Sequence, residues 1–277
     1  MPLFISSLNS GSNGNCYYVG NNKEAVLIDA GIPCREIEKR MKRLGLSMSV
    51  VKAIFVSHEH GDHITGVPTL SRKYQLPVYI TTNTFRSAFI SIEKQLIRSF
   101  RPNKVITIGD LAVVAFPKSH DAIDPHSFIV SGNEVTVGVF TDFGYPCTNI
   151  INRFGQCNAV FLEANYCEDM LTNSTYPVSL KKRISSDGGH LSNTQALELF
   201  ASHKGKQLSH LLLSHLSENN NSPEVVSRLF NEKAGSTKII VASRYKETPL
   251  YLIESTAAAN DPVSNKVSQP ALQLSLF

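Results

Sequence analysis

The 277 residues include no tryptophan and only five cysteines, and no uninterrupted apolar run approaches the length a membrane helix needs. Cys16, Cys34, Cys147, Cys157 and Cys167 are odd in number and never form a Cys-x-x-Cys pair, which argues against both a disulfide framework and a thiolate zinc site. No N-terminal stretch joins a basic start, an apolar segment and a small-residue cleavage site. A soluble, unexported protein of the reducing cytoplasm, with no membrane association, is therefore expected. A strong charge excess is also missing. The net charge of +4 permits a polyanionic partner but is too small for a protein that binds nucleic acid by charge alone. No close repeat occurs at the periods of solenoids or propellers.

At 42% hydrophobic, the chain can bury one large core. Its opening reads as short strands, Leu3 to Leu8, Cys16 to Gly20 and Ala25 to Asp29, around the turn-rich loop Gly11-Ser12-Asn13-Gly14-Asn15. Pro33 to Leu44 places Ile37, Met41 and Leu44 at helical spacing. Apolar runs follow at 53–56, 78–80, 111–116, 128–130, 135–140, 159–162, 211–213 and 238–242, with helical patterns near 64–74, 145–154, 193–203 and 223–233. This alternation predicts sheets covered by helices, an α+β protein. A catalytic unit over 1–254 is expected, followed by a flexible polar tail over 255–277.

The strongest chemical signal is Ser57-His58-Glu59-His60-Gly61-Asp62-His63, directly after the apolar run ending at Val56. Neutral imidazoles and a carboxylate are the ligands of zinc, manganese or iron, and ligand chemistry does not choose among these. A turn at a strand end aims such side chains at different points, and Gly61 frees the backbone for it. Isolated histidines are usually structural, but three within six residues beside an aspartate report metal. These ligands would crowd one tetrahedral ion. Further ligands should also follow apolar strands, and His120, Asp142 and His215 meet that condition. Seven N and O ligands suit two divalent ions, with a carboxylate such as Asp142 bridging and a hydroxide between the ions as nucleophile.

These residues resemble the His-x-His-x-Asp-His signature of the metallo-β-lactamase superfamily. The resemblance implies a four-layer αββα sandwich, with His58, His60 and His120 on one metal, Asp62, His63 and His215 on the other, and Asp142 between them. Ser119-His120-Asp121-Ala122, Gly189-His190-Leu191-Ser192 and Leu213-Ser214-His215-Leu216-Ser217 are similar to the YycJ/WalJ branch, as is the Gly-Ser-Asn-Gly-Asn loop. That branch is associated with exonuclease action on DNA, 5′ to 3′. Where the family often has glycine, His126 stands here.

Ser192-Asn193-Thr194-Gln195 is a capping-box pattern, which places His190 at a helix N-terminus, where a phosphate is favoured. Glu163 is expected to orient His190 or keep it charged for proton transfer to a leaving group, as a similar pair does in related phosphodiesterases. Asp62, His190 and Glu163 are thus the expected catalytic residues. Lys181-Lys182-Arg183 is read either as a guide for a nucleic-acid backbone or as a solvated loop. A phosphodiesterase acting on DNA is the leading reading. A thioester or lactone hydrolase of the same fold and a non-catalytic DNA-associated adaptor are the alternatives. Finally, Gln273, Leu274, Ser275, Leu276 and Phe277 resemble the peptide that bacterial replication and repair proteins insert into the sliding clamp.

Overall fold

The structure, a computed structural model, describes residues 2–255; the tail beyond them, with the clamp-like Gln273–Phe277, lies outside the described residues. The chain opens with three antiparallel strands, β1 (Leu3–Asn9), β2 (Cys16–Gly20) and β3 (Ala25–Ile28). Helix α1 (Cys34–Arg43) then leads to β4 (Val51–Phe55), parallel to β3. Helices α2 (Gly61–Ile64) and α3 (Val67–Tyr74) precede β5 (Val78–Tyr79), and α4 (Thr82–Ser87) precedes β6 (Ile97–Arg98).

The second half begins with the antiparallel strands β7 (Val105–Ile108), β8 (Leu111–Pro117), β9 (His126–Gly132) and β10 (Val135–Phe140). Helix α5 (Thr148–Phe154) leads to β11 (Ala159–Glu163). Helices α6 (Glu168–Asn173), α7 (Val178–Ile184) and α8 (Asn193–His203) lead to β12 (His210–Ser214), and α9 (Pro223–Asn231) to β13 (Lys238–Val241). The short strand β14 (Tyr251–Ile253) returns to pair antiparallel with β1.

Two seven-stranded sheets result, ordered β14-β1-β2-β3-β4-β5-β6 and β13-β12-β11-β10-β9-β8-β7. Side chains alternate across each strand, so strands covered on both faces are apolar throughout. In β4, Ala53 and Phe55 point between the sheets while Ile54 and Val56 pack towards α1 and α3. In β11, Ala159 and Phe161 point between the sheets while Val160 and Leu162 join Ile150, Leu199 and Phe230 of the outer helices. These three apolar layers separate four structural layers, the expected αββα sandwich. Phe161 is fully buried against Tyr17, ring centroids 4.9 Å apart, so truncating it to alanine should cost about 3–5 kcal/mol.

Strands β3 to β6 run parallel, as do β10 to β13. The residues after β4, β10 and β12 meet, so both parallel sets end at one rim of the sandwich.

Several local expectations shift. The pattern at 64–74 divides into α2 and α3, and α5 starts only at Thr148. The Lys181–Arg183 segment belongs to α7 rather than to a loop. None of that helix's residues is fully buried, and its apolar pair Leu180 and Ile184 is only half-buried, a weak pattern to read.

Candidate metal centre

At the rim, the signature turn follows β4 and opens α2. Gly31 makes the turn's close packing possible: a Cβ there would run into the carbonyl of Asp62. Two groups of donor atoms form, each within 4.8 Å of one another. One is His58, His60 and His120; the other is Asp62, His63, Asp142 and His215. A third group of the same kind joins Asp142, Glu163, His190 and His215. Thus every residue expected at the site from 58 to 215 converges there.

The six imidazoles form a closed circuit. Running His60, His58, His63, His215, His190, His120 and back, neighbouring ring centroids lie 4.6, 4.0, 6.0, 5.2, 5.2 and 5.1 Å apart. Beside them opens a cavity of about 420 Å³ lined by His60, Asp62, Asp142, His190 and His215, with Arg183 of α7 at its edge.

Two of the donor residues are held in unusual backbone. Asp142 and His215 have φ of 57°, in the left-handed region that residues other than glycine rarely occupy, and so does Asp29 with φ 61°. Each sits just past a strand. The left-handed turn there swings the side chain off the strand's alternation and into the rim.

Asp29, Ser57 and Asn165 back the donor groups, contacts that the sequence reading did not foresee. Ser57 donates its N–H to Asp29 Oδ1 at 2.7 Å and its hydroxyl to Asp29 Oδ2 at 2.8 Å, and His63 Nδ1 lies 2.7 Å from Asp29 Oδ2. This pins the far nitrogen of His63 towards the cluster, the way carboxylates orient metal-binding histidines. Asn165 donates to the backbone carbonyl of His215 at 2.8 Å. Asp29 was legible: it follows the apolar run Val26-Leu27-Ile28, the position that marked Asp142.

The donor set fits divalent ions. Asp142 Oδ2 is buried and accepts no hydrogen bond, with His63 Nε2 standing 3.5 Å away. His58 Nε2 and His120 Nε2 face His60 Nδ1 at 3.1 and 3.3 Å. Burial pushes His58 well below the ordinary imidazole range and His120 down to about 4, so both stand ready as neutral ligands. The second group differs. Burial opposes the charge of His215, but Asp142 and hydrogen bonds with Asp62 and Glu163 raise it to about 10. Burial is likewise outweighed at His63, which Asp142, Asp62 and Asp29 hold well above its ordinary value. In these pairs protons occupy the place of positive charge that an ion takes when bound.

Glu163, fully buried at the end of β11, accepts from His190 Nδ1 at 2.7 Å and His215 Nδ1 at 3.1 Å through Oε1. Its Oε2 accepts the N–H groups of Phe143 and Leu191 at 3.0 and 3.2 Å. Burial works against its charge, but attraction to His190 and these imidazole bonds hold it down to about 2.

At the start of α8 most of the N–H groups expected to favour a phosphate are already bonded within the protein. The capping box forms as read, but His190 precedes the N-cap Ser192 by two residues. Leu191 N–H goes to Glu163, Ser192 N–H to Gln195 Oε1, Asn193 N–H to the Tyr166 carbonyl and Gln195 N–H to Ser192 Oγ. These four N–H groups are satisfied internally, and the His190 side chain is the group that faces the cavity. His126 stands outside the donor groups. It starts β9, donates its N–H to the Ser57 carbonyl at 3.0 Å and packs on Phe100, ring centroids 5.2 Å apart.

An αββα sandwich carrying this signature at the shared strand ends defines a metallo-β-lactamase-type hydrolase with His/Asp clusters suited to metal. The beta-lactamase superfamily domain model matches residues 24–215, a span that contains all seven expected ligands, and the chain belongs to that superfamily. Within it the chain belongs to the YycJ/WalJ family. It is 36% identical over 242 residues to exodeoxyribonuclease YycJ of Bacillus anthracis, covering 84% of this chain and 91% of that protein. It is 32% identical over 225 residues to exodeoxyribonuclease WalJ of Streptococcus pneumoniae, covering 79% and 84%. Among solved structures, the metallo-β-lactamase fold protein YhfI of Bacillus subtilis superposes with a TM-score of 0.72 at 16% identity, covering 91% of this chain and all of that one. Zinc-bound PqqB of Methylobacterium extorquens gives 0.68 at 12% identity, covering 88% and 99%. These two likenesses show the fold. Among the described residues, no helix is long and apolar enough to cross a membrane.

Proposed function

We propose that the protein is a two-metal exodeoxyribonuclease that digests DNA from the 5′ end in the cytoplasm, in replication or repair. The observation that carries this reading is the Glu163–His190 pair at the cavity that also joins both ligand groups. The family likeness to named exodeoxyribonucleases supports DNA as the substrate.

His58, His60 and His120 would hold one ion, Asp62, His63 and His215 the other, with Asp142 between them. Zinc, manganese or iron match these ligands. When bound, two such ions supply an ionised water and neutralise charge on the phosphoryl group. The protein's own groups do the rest. Glu163 fixes the His190 ring through Nδ1 and leaves Nε2 to offer a proton to the leaving oxygen. Asp62, on the cavity wall, takes up the proton of the attacking water. Arg183 of α7, on the cavity wall, stands where it can draw a phosphate backbone towards the cavity.

A thioester or lactone hydrolase would use the same ions but would leave the Glu163–His190 pair without work, and a non-catalytic adaptor would not need the intact ligand set. Linear duplex DNA labelled at either end, digested with manganese or zinc beside a chelator control and a His60→Ala variant, tests the proposal. Metal-dependent release of the 5′ label first, by the parent alone, is the expected result. Two bound ions with no nucleotide release would reject a nuclease, and release of the 3′ label first would reverse the polarity.

The last five residues, Gln273 to Phe277, are proposed to bind the bacterial sliding clamp. Deleting them should abolish clamp association and leave metal content and hydrolysis unchanged; a truncated protein that still binds the clamp would refute this.

A further inference from the structure

The chain's positive charge is concentrated. Between Thr82 and Lys104 stand Arg86, Lys94, Arg98, Arg101 and Lys104 against Glu93 alone, a surplus of four that equals the net charge of the whole chain. The remaining residues balance to zero. All five cations are exposed.

Among the described residues, none of the five is paired with an acidic side chain. Elsewhere cations are often matched: Lys39 and Arg40 with Glu36, Arg43 with Glu247, Lys73 with Glu38, Arg244 with Glu218. Among the described residues, the side chains of Arg86, Lys94, Arg101 and Lys104 have no hydrogen bond or ion pair. Arg98 donates only to the carbonyls of Gln95 and Ile97, and Glu93 accepts from Gln95 rather than from a cation. Unmatched like charges close in the chain repel each other, and a polyanion relieves that repulsion.

The topology puts much of this segment on the metal side. Strand β6 runs parallel to β5 and β4, so its C-terminal end faces the rim where β4 delivers His58. The connection from β6 to β7 carries Arg101 and Lys104 from one sheet to the other along that rim, and Asn103 N–H bonds to the Ala115 carbonyl near the end of β8, shortly before Ser119 and His120. Helix α4 starts at the same rim after β5, and Thr84 donates to the Asp124 carbonyl in the loop that follows His120. The segment also holds Phe89, 98% exposed on left-handed backbone with φ 48°. Exposed aromatic rings together with unmatched cations are the surface chemistry that nucleic acids bind.

From the unpaired cations at the metal rim, we propose that the 82–104 segment, led by Arg86, Arg101 and Lys104, is the track for the DNA phosphate backbone beyond the reactive end. This rests on the nuclease reading for its ligand, and the test separates the two.

The variant R86E/R101E/K104E is compared with the parent and with K206E/K233E, a charge reversal at the opposite end of the sandwich, where α8 and α9 finish. Binding of a 30-base-pair duplex is followed by fluorescence anisotropy across a salt series. Hydrolysis is followed on long DNA and on thymidine 5′-(4-nitrophenyl phosphate), which is too small to reach the track. The rim variant should lose at least tenfold in DNA affinity and flatten the slope of log K against log salt by about 2 to 3, since each duplex phosphate contact contributes about 0.9. It should raise KM on long DNA and keep parental rates on the small ester, with K206E/K233E near the parent throughout. Unchanged affinity and salt slope in the rim variant, or an equal loss in K206E/K233E, would overturn the assignment. A parent that binds DNA but cleaves neither substrate would sink the nuclease reading alone, and the anisotropy comparison would still decide this surface. A parent that binds no duplex would refute it.

Discussion

Glu163 Oε1 stands 2.7 Å from His190 Nδ1, and the same oxygen stands 3.1 Å from the Nδ1 of His215. One buried carboxylate thereby orients both the proposed proton donor and a proposed metal ligand, so the two should fail together when it is changed and separately when they are.

The His190→Ala variant should keep the parental metal content while kcat on a phosphodiester falls by about 10²- to 10⁴-fold, the usual worth of a positioned acid. Glu163→Gln should lower kcat as well and also weaken metal binding by about 10- to 100-fold, because a partner of a ligand is lost. Steady-state rates beside metal analysis of dialysed protein separate these outcomes. A Glu163→Gln protein with undiminished metal affinity would show that its bond to His215 does not support the ligand.

Metal stoichiometry should divide along the two donor groups. The parent should hold two divalent ions per chain, whereas His120→Ala should retain about one, because His58, His60 and His120 form their own group. Elemental analysis after equilibration with limiting free metal measures this, and full loss of both ions from His120→Ala would point to one inseparable site.

Metal uptake should release protons and tighten as pH rises. In the metal-free protein His215 is raised to about 10, above an unfolded value of about 6.5, so its charged form stabilises the fold fully below that unfolded value and this contribution is lost as pH rises through about 10. An ion needs the neutral ring, and so displaces that proton across the neutral range. Calorimetry in buffers of different ionisation enthalpy reads the number released; heats independent of buffer would contradict the charged pairs at this site.

Gly31→Ala should destabilise the protein by about 1–3 kcal/mol, the usual cost of overpacking, because its Cβ would meet the backbone of Asp62. Displacing Asp62 should also weaken one metal site. A thermal melt with and without added metal checks both effects, and an unaltered melting temperature would mean that the turn relaxes freely.

Much was legible locally. Helix α8 follows from the Ser192 and Gln195 capping box, and strands such as β10 and β11 from apolar runs, because both signals reside in neighbouring residues. The less regular elements were not. Strand β7 is half-exposed at a sheet edge, and β14 is only three residues long, held by a partner some 250 residues earlier in the chain. Neither carries a burial pattern strong enough to announce itself. Which N–H groups before α8 are already bonded was not legible for a related reason: that depends on Glu163 and Tyr166, which come from elsewhere in the chain.

Sequence by itself determined the ligand types, their spacing in the 58–63 turn and their positions just past apolar strands, because those are properties of one segment at a time. Only the tertiary structure decided that Asp29 backs His63, that Glu163 serves both His190 and His215, and that the segment carrying Arg101 and Lys104 runs along the metal rim. Those relations arise where parallel strands remote in sequence end side by side, and the distances between their side chains exist only once the two sheets have packed.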